Sequence, residues 1–124
     1  MKDIQSAFKK AFRKLKEALS LPQTDVNRDA SIKRFEFTFE LAWKTAQKFL
    51  RGQGIVTRSP KETFQQSFKF GLIKDNVNWI RMLDDRNLTS HTYDEQTAKN
   101  IYSRLPEYQK LFEELHTALT RNEK

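Results

Sequence analysis

Apolar residues recur at helical spacing along every long segment of the chain. In the first segment they form one stripe, made of Ile4, Phe8, Ala11, Leu15, Ala18 and Leu19. Basic residues lie on the other side of the same segment, namely Lys2, Lys9, Arg13 and Lys16. Leu21-Pro22 follows the stripe, and proline disrupts a helix interior. The pattern therefore predicts an amphipathic first helix that ends at Leu21-Pro22.

The second helical segment is apolar over a wide arc. Its predicted start lies between Thr24 and Ser31, and its predicted end is Gly52-Gln53-Gly54. The main stripe consists of Phe35, Phe39, Ala42, Trp43, Ala46, Phe49 and Leu50. Phe37 and Leu41 lie off that stripe. Because so much of its circumference is apolar, we expect this helix to be central in the fold or covered by a second subunit.

Capping signals mark three more helices. Ser59–Glu62 combines an N-cap serine, a proline at the first helical position and a glutamate three residues on, and Gly71 is the expected end of that helix. Asp75 is expected to cap the fourth helix. Thr92–Glu95 reads as a second capping box that opens the last helix, in which Pro106 is expected to introduce a kink.

Composition supports an all-helical domain. The chain has 124 residues with three glycines, three prolines and no cysteine, which leaves little turn chemistry for an all-β fold and removes thiol chemistry. Its apolar stretches are far shorter than the ~20 residues that span a bilayer, and the N-terminus has no signal-peptide pattern. We predict one soluble, cytoplasmic domain over residues 1–124, an all-α antiparallel up-down four-helix bundle with one additional short helix.

Charge is distributed unevenly along the chain. The formal net charge is +7, and residues 1–20 hold six basic and two acidic side chains. This first helix offers a basic face to RNA, a nucleotide or an acidic partner, although a solvated helix face has the same composition. No motif for sequence-specific nucleic-acid readout accompanies it. His91 and His116 are 25 residues apart without ligand spacing, so no metal site is predicted.

Polar groups concentrate between the fourth and fifth predicted helices, in the stretch 84–93. Arg86 and His91 would point about 140° apart on a continuous helix, so they can converge only if the helix stops near Leu88. Arginine suits phosphate, and histidine can move protons near neutral pH. The stretch is therefore a candidate site for a phosphate ester, bound or cleaved. The alternative is a structural corner in which Arg86 pairs with Asp84 or Asp85.

The polar side of the second helix is another candidate. It carries Lys33, Arg34, Glu36, Glu40 and Lys44. Glu40 and Lys44 have the favourable order for an ion pair one turn apart. These polar residues lie among large apolar residues, which makes them a candidate binding surface. A structural role is favoured over ligand binding, because exposed ion pairs are common and weak.

Four segments together resemble the signature of the nucleotidyltransferase substrate-binding protein family. They are Ile32–Lys44 (IKRFEFTFELAWK), Ser59-Pro60, Phe68–Ile73 (FKFGLI) and Met82–Tyr93 (MLDDRNLTSHTY). The resemblance extends in order over nearly the whole chain. The family belongs to the wider HEPN superfamily of helical bundles.

This resemblance implies an accessory role. Such proteins are typically encoded beside a minimal nucleotidyltransferase that lacks its own substrate-binding domain, and they dimerise within a heterotetramer. By this resemblance the chain would be a binding subunit, and two copies of it would form a homodimer within that heterotetramer. It would bind no cofactor alone, and Mg²⁺ and a nucleoside triphosphate would lie on the partner. Its binding residues would be Arg86, Asn87, His91, Tyr93, Arg34 and Lys44. Arg86 and Asn87 would hold phosphate or ribose, and His91 would donate a hydrogen bond.

The superfamily also implies an alternative role. It contains metal-independent ribonucleases that use an arginine, a polar neighbour and a histidine, a pattern that maps onto Arg86, Asn87 and His91. In a toxin–antitoxin branch, a tyrosine two residues after the histidine receives AMP from a partner nucleotidyltransferase and the toxin is silenced. That position is Tyr93 here. In this alternative Arg86 and His91 are catalytic and Tyr93 is modified, while a third interpretation is a helical scaffold without a ligand.

Overall fold

The computed structural model describes residues 2–122, and helices occupy most of them. The α-helices are α1 (Lys2–Leu19), α2 (Asp25–Gly52), α3 (Pro60–Phe70), α4 (Asn76–Leu88) and α5 (Glu95–Arg121). A 3-10 turn, Thr89–His91, follows α4 directly. These residues contain no strand, and the shortest α-helix is α3, with 11 residues. The predicted all-α bundle with an additional short helix is therefore confirmed.

Helix α2 is the centre of the bundle. It packs against α1, α3, α4 and α5, while α1 also packs against α5. Aromatic rings fill the interior, and the fully or almost fully buried ones are Phe8, Phe35, Phe39, Phe64, Trp79, Tyr108 and Phe112. Phe35 stacks on Tyr108 with ring centroids 5.6 Å apart. Phe37, in contrast, is 63% exposed, so the apolar arc of α2 extends beyond what the bundle covers.

Three of the predicted helix starts are confirmed by cap geometry. The Thr24 hydroxyl accepts a hydrogen bond from the Asn27 amide at 3.1 Å, and the Ser59 hydroxyl accepts one from the Glu62 amide at 3.2 Å. Asp75 Oδ1 accepts from the amide three residues later at 2.9 Å. These side chains satisfy backbone N–H groups that have no partner within the helix.

Gly71 ends α3 in the left-handed conformation, with φ at 91°. Glycine adopts this conformation without the steric cost that a Cβ would add. Its amide bonds to the carbonyls of Ser67 and Phe68, which satisfies the last turn of the helix. The predicted end of the third helix is therefore confirmed.

The predicted capping box at Thr92 is wrong. Helix α5 begins at Glu95 with Asp94 as its N-cap residue. The Thr92 hydroxyl instead donates to the Thr89 carbonyl at 3.2 Å, because the chain is still turning there. Asp94 Oδ2 accepts from the Thr97 hydroxyl at 2.7 Å. Further along, α5 continues through Pro106 as one uninterrupted helix.

Within residues 2–122, no helix combines the length and the apolar content needed to cross a lipid bilayer. The two longest helices, α2 and α5, carry charged residues along their length. Their apolar residues face mainly the bundle interior.

Candidate functional site

The end of α4 forms a tight polar corner. The α-helix stops at Leu88 and the chain continues as the 3-10 turn. This meets the condition under which Arg86 and His91 can lie at the same corner. Two hydroxyl groups of this turn donate hydrogen bonds to carbonyl oxygens three residues earlier. Thr89 Oγ1 donates to the Arg86 carbonyl at 2.6 Å, and Ser90 Oγ donates to the Asn87 carbonyl at 3.3 Å. The Thr89 amide donates to the Arg86 carbonyl as well, so side-chain and main-chain hydrogen bonds together hold the turn.

Arg86 forms an ion pair with Glu40 of α2. The partners considered in the structural alternative, Asp84 and Asp85, do not fill that role, because side chains on successive helix residues point about 100° apart. The Arg86 and Glu40 side chains remain 36% and 32% exposed, respectively. Arg86 Nη1 also donates to Asn87 Oδ1 at 3.3 Å, and its guanidinium carbon lies 5.8 Å from the centre of the Phe39 ring.

Glu40 links the two candidate sites into one surface. Besides Arg86, it accepts a hydrogen bond from Trp43 Nε1 at 3.2 Å. Its Oε2 atom lies 3.9 Å from Lys44 Nζ, so the predicted pair one turn apart is present but loose. The sequence separation of 46 residues between Glu40 and Arg86 explains why spacing alone gave no sign of this contact. The corner of α4 and the polar side of α2 are therefore adjacent.

Asp85 is the buried residue beside this surface. Its side chain is 4% exposed, and it accepts hydrogen bonds from Arg104 Nε at 2.6 Å and Arg104 Nη2 at 2.7 Å. The Tyr108 hydroxyl donates to the same carboxylate. A two-pronged guanidinium and a phenol together compensate the buried charge. Sequence reasoning missed Arg104 and Tyr108, which belong to α5, and only an expected charge partner for a buried aspartate could have suggested them.

The network around Asp85 raises the pKa values of its two hydrogen-bond donors, Arg104 and Tyr108. Burial, reinforced by the adjacent Asp85 carboxylate, raises the pKa of Tyr108 above its ordinary value. The hydrogen bonds to Asp85 raise the pKa of Arg104. Both groups therefore keep their protons at neutral pH, as the hydrogen bonds require.

His91 and Tyr93 form a separate exposed pair. His91 Nδ1 lies 3.2 Å from the Tyr93 hydroxyl oxygen, and the two rings meet edge to face with centroids 5.8 Å apart. Tyr93 is 84% exposed. Among residues 2–122 no hydrogen bond or ion pair joins Arg86 to His91. The predicted residues thus occur at one corner as two pairs, Arg86 with Asn87 and His91 with Tyr93.

Arg34 lies on a different part of the surface. Its Nη1 atom donates to the Lys14 carbonyl of α1 at 2.6 Å. It lines a shallow pocket between α1 and α2 with Lys10, Lys33 and Phe37. Of the two cations predicted on α2, only Lys44 is therefore linked to the Arg86 corner, through Glu40.

The side chains at the corner suit oxygen-rich ligands. Arg86 and Lys44 bring positive charge, while Asn87, His91 and Tyr93 bring groups that donate and accept hydrogen bonds. Within the described residues no group of three or more His, Asp or Glu side chains is placed to hold a metal ion.

The fold and the site together define a helical bundle with a polar Arg–His corner before its last helix. The family model for nucleotidyltransferase substrate binding protein-like sequences matches residues 3–121. The chain belongs to this family.

Two solved structures share the fold. A protein from Thermus thermophilus has 41% sequence identity and a TM-score of 0.87, over 90% of this chain and 98% of that one. A Haemophilus influenzae protein has 26% identity and a TM-score of 0.84, over 94% and 98% of the two chains. Its structure is described as the fold of a substrate binding domain of a nucleotidyltransferase.

A curated relative is named for a different activity. The Haemophilus influenzae protein named "Probable ribonuclease HepT" is 34% identical over 83 aligned positions, and the match covers 63% of this chain. The match spans only 57% of the length of that relative.

We expect Asp85→Asn to destabilise the fold strongly. Removing one partner of a fully buried ion pair costs about 3–5 kcal/mol. Because the Arg104 side chain is still 31% exposed, we expect a smaller loss in the free energy of unfolding, about 2–3 kcal/mol. Urea unfolding measures it. The control is Asp84→Asn, an exposed neighbour, which should change stability by less than about 0.5 kcal/mol. Equal midpoints for the two variants would contradict the assigned role of Asp85.

Tyr108 should make stability depend on pH in the alkaline range. Its folded pKa is raised, so the unfolded chain releases the phenol proton more readily. The contribution is fully present below about pH 10 and is lost as pH rises towards the folded value. We expect the unfolding free energy to fall less steeply between about pH 9 and pH 11 in Tyr108→Phe. Equal slopes for wild type and variant in urea titrations would refute this.

Proposed function

We propose that this chain is the substrate-binding accessory subunit of a separate minimal nucleotidyltransferase. The observation that carries the proposal is the Glu40–Arg86 ion pair, which unites the two polar regions of the sequence on one surface. Family membership and the described fold of the Haemophilus influenzae neighbour support it.

Arg86 keeps binding capacity while it is paired. A guanidinium has five N–H donors in a planar fork. Glu40 accepts from Nη2 and Asn87 accepts from Nη1, so further donors remain for a phosphate of the substrate. The ion pair holds the fork in place, which lowers the entropy lost on binding. Asn87, His91, Tyr93 and Lys44 would complete the contacts, while Arg34 would act from its own pocket.

The chemistry would take place on the partner. Mg²⁺ and the nucleoside triphosphate would be held there, since Mg²⁺ is commonly bound between carboxylates and substrate phosphates. We further propose that two copies of this chain form a dimer and that two catalytic chains complete a heterotetramer.

A pull-down from the native host tests the partnership. The tagged chain is recovered in mild salt, and all retained chains are identified by mass spectrometry. We expect a small nucleotidyltransferase at a stoichiometric amount. Recovery of the chain without a nucleotidyltransferase would overturn the accessory role.

The purified complex then tests the site. We expect Arg86→Ala to lower kcat/KM for nucleotidyl transfer about tenfold, the effect of losing a charge-assisted hydrogen bond to substrate. Arg58→Ala, which changes an arginine outside the site, should leave the rate unchanged. Equal effects of the two substitutions would show that Arg86 does not bind substrate.

A second candidate function is a metal-independent ribonuclease. The contact between His91 Nδ1 and the Tyr93 hydroxyl favours it, because a tyrosine in that position can orient the imidazole ring. His91 would take the proton from a ribose 2′-hydroxyl, whose oxygen attacks the phosphorus while the bond to the 5′-oxygen breaks. The proton would return to the departing 5′-oxygen, and Arg86 would stabilise charge on the phosphorus centre. The HepT relative supports this alternative, in which AMP on Tyr93 would silence the toxin by removing the hydroxyl contact of His91.

Cleavage of RNA by the isolated protein in EDTA discriminates between these functions. The accessory role predicts no cleavage that depends on His91. A ribonuclease role predicts cleavage that falls by about 10²-fold or more in His91→Ala and is retained in Ser90→Ala. Intact-mass measurement after coexpression with the partner adds a second readout. An AMP-sized increase that disappears in Tyr93→Phe would favour the toxin–antitoxin alternative.

A further inference from the structure

A cationic pocket with an apolar floor lies between α1 and α2, away from the Arg86 corner. Its volume is about 470 Å³. The floor is formed by two alanines and one aromatic ring, namely Ala7, Ala11 and Phe37. All the charged side chains around it are basic, namely Lys10, Lys14, Lys33 and Arg34. We call this feature the basic pocket.

The basic pocket is only partly neutralised by its surroundings. Within residues 2–122, no carboxylate lies within ion-pair distance of Lys10 or Lys14. Lys33 Nζ is 3.7 Å from one oxygen of Glu36. Arg34 is held in position by its hydrogen bond to the Lys14 carbonyl, which carries no full negative charge. An anionic occupant would therefore gain favourable contacts.

Phe37 gives the pocket a second kind of contact. A phenylalanine that is 63% exposed and surrounded by cations leaves a ring face available to a flat ligand. Bases stack on aromatic side chains of this kind in proteins that bind single strands, while cations track the phosphates. The basic pocket, with one exposed ring and four cations, has the same types of side chain as those binding sites.

Two other occupants fit the pocket less well. A two-fold contact between copies of this chain would bring two sets of cations together, and like charges in contact oppose association. Protein interfaces are depleted of lysine at their centre, whereas nucleic-acid interfaces are much more positively charged. We therefore propose that the basic pocket binds single-stranded nucleic acid, with a base on Phe37 and phosphates on Lys10, Lys14, Lys33 and Arg34.

The position of Phe37 suggests how a bound strand runs. Phe37 precedes Glu40 by one helical turn, so both side chains lie on the same side of α2. Glu40 contacts Arg86 and Lys44. A strand seated in the basic pocket can therefore extend across α2 towards the Arg86 corner. The basic pocket shares Arg34 with the binding residues of the proposed function. Strand binding there requires neither cleavage nor a partner nucleotidyltransferase, so it can be tested on the isolated chain.

Fluorescence anisotropy with a labelled oligouridylate of about 12 nucleotides tests the proposal, since single-strand sites have this size. Salt is varied from about 50 to 200 mM. We expect Lys10→Gln/Lys14→Gln to weaken binding about tenfold or more and to reduce the slope of log K against log salt by about 1.4, or roughly 0.7 for each lost phosphate contact. We expect Phe37→Ser to weaken binding about tenfold.

Matched controls change the same residue types elsewhere. Lys61→Gln/Lys69→Gln removes two exposed lysines of α3, and Phe68→Ser removes an exposed phenylalanine. Both should bind like the wild type. Because the altered side chains lie at the surface, unfolding midpoints should not change, which separates loss of binding from loss of fold.

Other outcomes would overturn the proposal. Equal weakening by the two lysine pairs would indicate general charge attraction without a site. Equally tight binding of a duplex would exclude stacking on Phe37. Competition by ATP at the same concentration as the strand would indicate a site for a free nucleotide. A Glu- and Phe-containing peptide that competes better than the strand would indicate a protein partner. An oligothymidylate that binds like the oligouridylate would support the proposal, because no group in the pocket is assigned to the 2′-hydroxyl.

Discussion

Asp85 places a carboxylate inside the bundle. The position of the end of α4 depends on the side chains of α5 that neutralise and hydrogen-bond this buried charge. A buried charge is costly unless it is paired and hydrogen-bonded. Arg104 and Tyr108 supply both kinds of contact to Asp85. Because these partners require a particular distance and direction, the network fixes how α4 lies against α5. The position of the neighbouring Arg86 follows from that arrangement, and so does the candidate site.

Successive residues at the end of α4 face different parts of the molecule. The helix turns by about 100° at each residue, so Asp84 faces solvent, Asp85 faces α5 and Arg86 reaches α2. One helical turn thus joins the interior of the bundle to its polar surface. A change to the buried carboxylate would also shift the arginine beside it. Stability and ligand binding are therefore coupled at this corner through adjacent residues of one helix.

Local features of the fold were predictable from the sequence, and contacts between distant residues were not. Thr24, Ser59 and Asp75 act as caps because their effect involves amides only three residues away. The structural alternative that pairs Arg86 with Asp84 or Asp85 is wrong, since its partner Glu40 lies 46 residues earlier and only helix packing brings them together. The capping box at Thr92 failed for a related reason. Its hydroxyl bonds to the preceding turn, and a pattern of residue types does not distinguish the two partners.

The candidate site was predictable in its composition and less so in its geometry. Arg86, Asn87, His91 and Tyr93 do lie at one corner, because the helix ends at Leu88. Their division into two pairs depends on side-chain directions after the 3-10 turn, which spacing does not determine. A phosphate held by both pairs would contact residues before the 3-10 turn and residues at and after its end. That turn contains no buried residue, so it is the part of the corner where a rearrangement on binding would cost least.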